Sequence, residues 1–327
     1  MRPVVPIGAT VNLDQFFTVR ERPENKVTLV DVLPRQGTAQ AGACNLTDNG
    51  TFQLEDFELI ANPVGWHKAY CWDQFWDTIA GQATRGGISR LEDISSDLAG
   101  ELALAKFEEG NAVDFNDILM FGESTNTDIS AYLQTANGFF SATQVSGVTL
   151  NNTNLTGAPY NVTDAASTGT LVQDQGLRIC EMLMDDAPVQ LQAMAGSGAY
   201  FIVSHSVYRN LLKTAQGYRT GINNLQIMQE EMFGSGRPIL HFDGCPIVSA
   251  PRIDYVLSQE SSLAYSHFAA LGVQENYQIL IDSRERSTWE KQYFDETDDQ
   301  YHLKALVTFG AKHFTDNLLR VYKSTNS

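Results

Sequence analysis

Apolar residues come in short bursts along this chain, and the spacing inside each burst predicts a different element. Ala199-Tyr-Phe-Ile-Val203 is an unbroken apolar run, the pattern of a buried strand. Behind it, Ser204 or Ser206 can cap a helix carrying Val207, Tyr208, Leu211 and Leu212, with Gly217 where that helix would stop. Pro238 to Pro251 predicts further strand, with a turn at Asp243-Gly244 and a buried run at Ile247-Val248. Tyr277 to Asp282 and Leu318 to Tyr322 predict strands. In Tyr301 to Phe309 strict alternation puts Tyr301, Leu303, Ala305, Val307 and Phe309 on one face. Helical spacing occurs twice. Ser89-Arg-Leu-Glu92 has the form of a capping box, Leu91, Ile94, Leu98, Leu102 and Ala105 follow at helical steps, and Gly110 marks a stop. Ile118 to Gly122 then stands as a separate apolar piece. Thr170 to Asp186 places Val172, Gly176, Ile179, Leu183 and Ala187 on one stripe that ends before Pro188.

Two segments lack the means to form a core of their own. Residues 1–26 are punctuated by Pro3, Pro6, Gly8 and Pro23 and hold one apolar patch, Leu13, Phe16, Phe17 and Val19. Such an arm must lie on its own body or on a neighbour. Lys26 to Leu33 and Phe52 to Ile60 predict the two arms of a long hairpin, with a turn at Asn45 to Gly50, which would be marginal if unsupported. Tyr70 to Trp76 is the most aromatic spot and reads as an anchor where the hairpin meets the body. Residues 138–170 are rich in Asn, Thr, Ser and Gly and predict loops or short strands; sequons at Asn151, Asn154 and Asn161 are expected by chance in that composition.

Length and charge narrow the classes. The chain has 327 residues, enough for two domains, and 43% hydrophobic residues, enough for a sizeable core. It carries 39 acids against 22 bases, a net charge of −17, which argues against phosphate-backbone binding as its main activity. The deficit of bases is local: residues 36–67 and 107–177 contain no Lys or Arg. Cys44, Cys71, Cys180 and Cys245 are far apart and read as buried free thiols. No apolar run has the length of a membrane span, the first residues show no signal peptide, and a reducing cytoplasm is the expected compartment.

Chemistry-bearing motifs are sparse. There is no glycine-rich dinucleotide or phosphate loop, no nucleophile elbow and no paired-histidine zinc motif. Gly234-Ser-Gly236 reads as a flexible loop. His205 sits between Ser204 and Ser206, but neighbours in sequence point different ways, so a nucleophile and base are not expected there. Asp295-Glu-Thr-Asp-Asp299 has carboxylates that could hold a hard cation but lacks the pattern of a calcium loop, and reads as a solvated acidic turn. Asp185 and Asp186 fall at a helix C-terminus, where the helix dipole disfavours them, which calls for an Arg or Lys from elsewhere in the chain or from another subunit. No catalytic, cofactor or metal residue is assigned.

An arm, a long hairpin, a long amphipathic helix, a central α/β unit and a return to long strands resemble, in that order, the major capsid proteins of tailed bacteriophages. "Phe-Ile-Val-Ser-His-Ser-Val-Tyr-Arg-Asn-Leu-Leu" (201–212), "Phe-Asp-Gly-Cys-Pro-Ile-Val-Ser-Ala-Pro" (242–251) and residues 270–284 are similar to that family's core segments. The resemblance implies the α+β Hong Kong-97-type capsid fold. Residues 1–26 would be its N-terminal arm and 27–70 its extended loop. Residues 71–128 would form a peripheral domain with a spine helix at 89–109, 129–275 an axial domain, and 276–327 the return strands of the peripheral domain. It implies a structural, non-enzymatic protein without cofactors, assembling as hexamers and pentamers into an icosahedral virion shell around double-stranded DNA, within a bacterial host cytoplasm. Separate scaffolding and portal proteins, and a decoration protein, would be its partners. Two departures bear on this. Some members crosslink through a lysine in the extended loop, and residues 36–67 have none, so no such isopeptide is expected. Some members carry a fused scaffolding segment, for which residues 1–26 are too short. An encapsulin-like compartment shell shares the fold and is the alternative; a soluble hydrolase and a secreted adhesin lack, respectively, the motifs and the export signal.

Overall fold

The computed structural model describes residues 16–22, 26–32, 54–71, 98–150, 164–165, 170–171, 174–217, 225–228, 239–260, 263, 267–284, 288–295, 297 and 300–323. Strand β1 (Thr18–Arg22) is followed by β2 (Lys26–Val32), β3 (Leu54–Ile60) and β4 (Asn62–Cys71), then by the 24-residue helix α1 (Leu98–Phe121). A short helix α2 (Ala142–Val145) and strands β5 (Thr149–Leu150), β6 (Asp164–Ala165) and β7 (Thr170–Leu171) lead to α3 (Gln175–Asp185) and α4 (Val189–Ala193). Then come β8 (Ala199–Ser204), α5 (His205–Gly217), β9 (Leu225–Met228), β10 (Ile239–Phe242), β11 (Cys245–Ala250) and α6 (Pro251–Gln259). The chain closes with β12 (Phe268–Val273), β13 (Tyr277–Asp282), β14 (Thr288–Asp295), β15 (Gln300–His313) and β16 (Leu319–Lys323).

A seven-stranded sheet, in the order β5-β16-β12-β8-β11-β10-β9, holds the centre. Its middle strand β8 is buried at every residue because apolar side chains cover both faces. Tyr200 and Ile202 join a core with Phe121, Phe140, Phe268 and Tyr277, whereas Phe201 and Val203 join a second with Ile179, Leu183, Val207 and Leu211. Two-sided burial is why this strand reads as a continuous apolar run and not as an alternation. β10 and β11 pair through a two-residue turn in which Asp243 and Gly244 both take positive φ (49° and 80°), the geometry that makes Asp-Gly a hairpin signal.

A second sheet, of five strands, is built on β15, which pairs with β4 on one side and with β14 and β13 on the other. Residues 300–327 do not all stay in it: β16 crosses to the seven-stranded sheet and pairs antiparallel with β12. The expected peripheral return is corrected to that extent, since Leu319 and Val321 join one core beside the seven-stranded sheet and Tyr322 joins the other. β4 belongs to the five-stranded sheet, so the hairpin's described base ends near Ile60 and not at Tyr70.

The long helix needs the larger correction. Its first expected turns, residues 89–97, lie outside the described residues, but the stop expected at Gly110 does not occur. The helix runs on to Phe121. An interior glycine costs a helix about 1 kcal/mol, and burial of Phe115, Ile118, Leu119, Met120 and Phe121 outweighs it. The end is set by backbone partners: Phe139 and Phe140 donate their N–H groups to the carbonyls of Leu119 and Met120, both at 2.8 Å. These satisfy acceptors that a helix C-terminus leaves unpaired. The second helix begins at Gln175, not Thr170; Thr170–Leu171 is strand, and Asp174 enters the helix at φ 65° with its carboxylate taken by the Thr214 hydroxyl at 3.0 Å.

Part of the arm lies on its own body. Phe16 and Phe17 are buried, Phe17 stacks on Phe139 at 4.9 Å, and β1 pairs in parallel with β13. The hairpin base is a two-stranded sheet, β2 with β3, in the expected antiparallel register. The expected turn at Asn45–Gly50, the aromatic residues 72–76, the three sequons, Gly234–Gly236 and Cys44 lie outside the described residues.

Candidate functional site

The Ser204–His205–Ser206 cluster is resolved by the fold into a structural latch. Asp254 of α6 accepts the backbone N–H of His205 and, at 3.3 Å, that of Ser206, so a distant carboxylate caps α5 in place of either serine. The serines turn inward: Ser204 Oγ lies 2.9 Å from Ser206 Oγ, which lies 2.8 Å from His267 Nδ1. His205 points instead toward Ser249, 3.5 Å away. A serine and a histidine therefore do meet, but the histidine is 61 residues distant in sequence and, like Ser204, buried beyond the reach of a substrate. What the hydroxyls do is tie the start of α5 to the start of β12, where Phe268 N donates to Ser204 Oγ at 3.3 Å.

The other sequence-level candidates also take structural roles. The second carboxylate at the end of α3 is answered from within the chain: Arg320 Nε of β16 lies 2.9 Å from Asp186 Oδ2 and 3.2 Å from the Asp186 carbonyl. Asp295 Oδ1 accepts the backbone N–H of Thr297 at 2.9 Å, which together with the nearby bases His302 and Lys304 holds its carboxyl below the ordinary value. Among the described residues no group of three or more His, Cys, Asp and Glu side chains could hold a metal ion. Cys180 and Cys245 are buried free thiols.

Sequence reasoning missed two buried ionic features. Asp117 of α1 and Arg252 of α6 form a bidentate pair, with Nε to Oδ1 at 2.9 Å and Nη2 to Oδ2 at 2.7 Å. Tyr132 OH donates to the same carboxylate at 3.4 Å, and the guanidinium lies 4.1 Å from the centroid of the Tyr255 ring. The pair is the polar fastening between the long helix and the unit built on the seven-stranded sheet. Nothing in the sequence joins positions 117 and 252; only the fold does. The second feature is Lys323, buried at the end of β16, which donates to the Phe140 carbonyl at 3.0 Å.

Burial lowers the Lys323 ammonium from 10.5 to about 8, against the opposing pull of Glu123. Between those two pH values the unfolded chain holds the proton and the folded chain gives it up, so stability rises with pH across that window. The effect of this lysine at full extent is roughly 3 kcal/mol. Urea midpoints measured from pH 7.5 to 9.5 should climb, and Lys323→Met should flatten the climb. Above about pH 10 the trend reverses, because burial raises Tyr200 and Tyr277 and the folded chain must keep their protons.

The hairpin base combines buried and exposed apolar residues. Leu59 and Ala61 are buried against Leu280, whereas Ile60 between them is 52% exposed. β4 and β14 each pair only with β15 among the described residues. No described helix is long and apolar enough to cross a membrane.

No protein-family model matches the chain, and no curated protein matches it by sequence. Solved structures do. A chain of the satellite phage P4 procapsid with its size determination protein is 9% identical, covering 96% of this chain and 95% of that one at a TM-score of 0.55. The capsid of Myoviridae phage XM1 is 12% identical, covering 99% and 96% at 0.56. The Gordonia phage Cozz structure is 11% identical, covering 98% and 88% at 0.51. The chain has the α+β Hong Kong-97-type capsid fold.

Proposed function

We propose that this chain is the major capsid protein of a tailed phage, assembling as hexamers and pentamers into an icosahedral shell around double-stranded DNA. The observation that carries the reading is the extent of the capsid fold, which spans nearly the whole chain and leaves no separate catalytic domain. The hairpin supports it, since its two-stranded base exposes Ile60 and a hairpin of two strands is marginal without a covering surface. On this reading β2 and β3 begin the extended loop and residues 1–26 are the arm. α1 with the five-stranded sheet is the peripheral domain, and the seven-stranded sheet with α3, α5 and α6 is the axial domain. The net charge of −17 argues against tight phosphate-backbone binding, which fits a shell that encloses DNA without sequence-specific contact. Separate scaffolding, portal and decoration proteins complete the proposed set of partners, and the protein's place is the virion.

Electron microscopy of the purified protein tests this directly: closed particles or ring-shaped capsomers are expected, and small discrete particles would overturn it. The enclosed material, DNA or protein cargo, separates a virion from a compartment shell. Denatured particles should run at the single-chain mass, because residues 36–67 contain no lysine for a loop isopeptide. A ladder of covalent multimers would refute that part.

A further inference from the structure

The five-stranded sheet carries a row of side chains that its own stability does not explain. In register across three strands, His67 of β4 lies opposite Lys304 of β15, and Lys304 opposite Lys291 of β14. Directly opposed like charges destabilise a strand pair, and here three bases share one row on one face. Trp66, on the other face of β4, hydrogen-bonds Asp114 of α1, so the row looks away from the long helix. In the next row on the same face, Tyr293 stacks on buried His302 at 5.1 Å. Both ammonium groups lean on that tyrosine, at 5.0 Å and 5.1 Å from the ring centroid, which keeps the two charges near each other. His67 is fixed to the same group, with Nε2 2.9 Å from His302 Nδ1. Its other ring nitrogen has no hydrogen-bond partner among the described residues, and His67 and Lys291 are exposed. Desolvation first, then Lys304 and His302, push the His67 imidazole below its ordinary value, as a positive local field does.

One described carboxylate opposes the row. Asp295, further along the same face, is held low first by Thr297 and then, more weakly, by His302 and Lys304. Its Oδ1 accepts the Thr297 N–H at 2.9 Å, and no ion pair between described residues joins it to either lysine. The attraction is through space, and neither ammonium is neutralised by contact. We propose that Lys291, Lys304 and His67 form a binding site for a terminal phosphate group, either inorganic phosphate or the monoester of a small molecule such as a nucleotide. Two ammonium groups and an imidazole N–H supply three kinds of donor to the three oxygens such a phosphate presents, whereas a carboxylate offers two. Lysine stems are flexible and each ammonium has three protons to aim, so both can close on one anion. The net charge of −17 does not forbid this, because at physiological salt a charge is felt over only about 8 Å, and within that distance the row dominates. A nucleic-acid strand is disfavoured, since its further phosphates would be carried against the acidic remainder of the surface. The inference goes beyond the shell reading and does not rest on it.

Equilibrium dialysis of the full-length chain against radiolabelled inorganic phosphate, in chloride buffer, tests the site in whatever assembly state the protein adopts. Saturable binding is expected, weakened about tenfold or more by Lys291→Gln with Lys304→Gln. Lys68→Gln, on the opposite face of β4, should leave it unchanged. Asp295→Asn removes the opposing charge and should tighten binding about twofold or more, a direction in which a merely structural row would not move. Circular dichroism and melting establish that each variant folds, and Lys291→Gln alone replaces the double variant should that one not. Thymidine 5′-monophosphate competing as well as phosphate would make a nucleotide the ligand. Competition by phosphate alone would make it the free anion, and either result supports the site. No saturable binding at millimolar phosphate, equal binding in the double variant, or displacement by acetate as strong as by phosphate overturns the proposal. An oligothymidylate with a 5′-hydroxyl end, bound in preference to phosphate and lost in the double variant, would assign the row to a nucleic-acid strand and overturn it too. Closed particles that bind no phosphate sink this site alone. Small oligomers that bind it sink the shell reading and leave the site standing.

Discussion

Replacing Arg252 by alanine should destabilise the folded protomer by about 3 kcal/mol. The Asp117 side chain is fully buried and the Arg252 side chain is 31% exposed, so truncation strands the carboxylate inside α1 while the lost arginine regains little. The lower end of the usual 3–5 kcal/mol for breaking a buried pair applies because that arginine already reaches water. Little else can take its place. Tyr132 offers one long hydrogen bond, and the neighbouring Asp114 repels the Asp117 charge. Beside the pair is a small, partly open pocket of about 10 Å³ lined by Asn116, Asp117 and Arg252, which while Arg252 is in place admits no more than one water. The loss should shrink in acid. Burial already pushes the Asp117 carboxyl up; without Arg252 it rises further, so the folded variant binds a proton that the unfolded chain does not. Urea titrations at pH 7.5 and pH 4.5 should therefore show a larger deficit at the higher pH. An equal deficit at both would mean that packing, not charge, is what Arg252 contributes.

On the proposed shell reading, Gly310→Ala should leave a folded protein that no longer assembles regularly. A methyl at this position in β15 would stand 2.0 Å from the carbonyl oxygen of Ile60 and 2.8 Å from its carbon. Both are backbone atoms, so no rotamer change relieves the contact; the link between β3 and β4 has to move. Overpacking of this kind costs about 1–3 kcal/mol, too little to unfold the two cores. It is enough to swing the hairpin base, where Leu59 and Ala61 grip Leu280. Circular dichroism close to wild type with open or misshapen assemblies under the microscope is the expected pair of results. Normal closed particles would show that the hairpin's direction is not set at this crossing.

Legibility followed how local the physics was. The Asp243-Gly244 turn, the buried run at 199–203 and the strand at Tyr277–Asp282 were readable because each is set by its own few residues. The stop at Gly110 misled because a local helix breaker was weighed without the core waiting for Phe115 to Phe121. Asp185 and Asp186 show the intermediate case. Their need for a cation could be read from the helix dipole, whereas the identity of Arg320 could not, since 134 residues separate it from Asp186. The arm divides the same way: its inability to fold alone is a matter of composition, but Phe16 and Phe17 found their pocket on the protomer's own body. The partner of the serine cluster, His267, was out of reach of any spacing argument.

Periodicity, turn chemistry and charge thus give, with no structure at hand, several of the element types of this chain, two segments short of core residues, its acidity and its sparse motifs. The fold alone supplied the Asp117–Arg252 fastening, the burial of Lys323, the crossing of β16 between sheets and the row of three bases facing one way. The reason is common to all four. Each depends on which distant segments share a sheet or a core, and that is chosen by summed burial across the whole chain, which no short window of sequence contains.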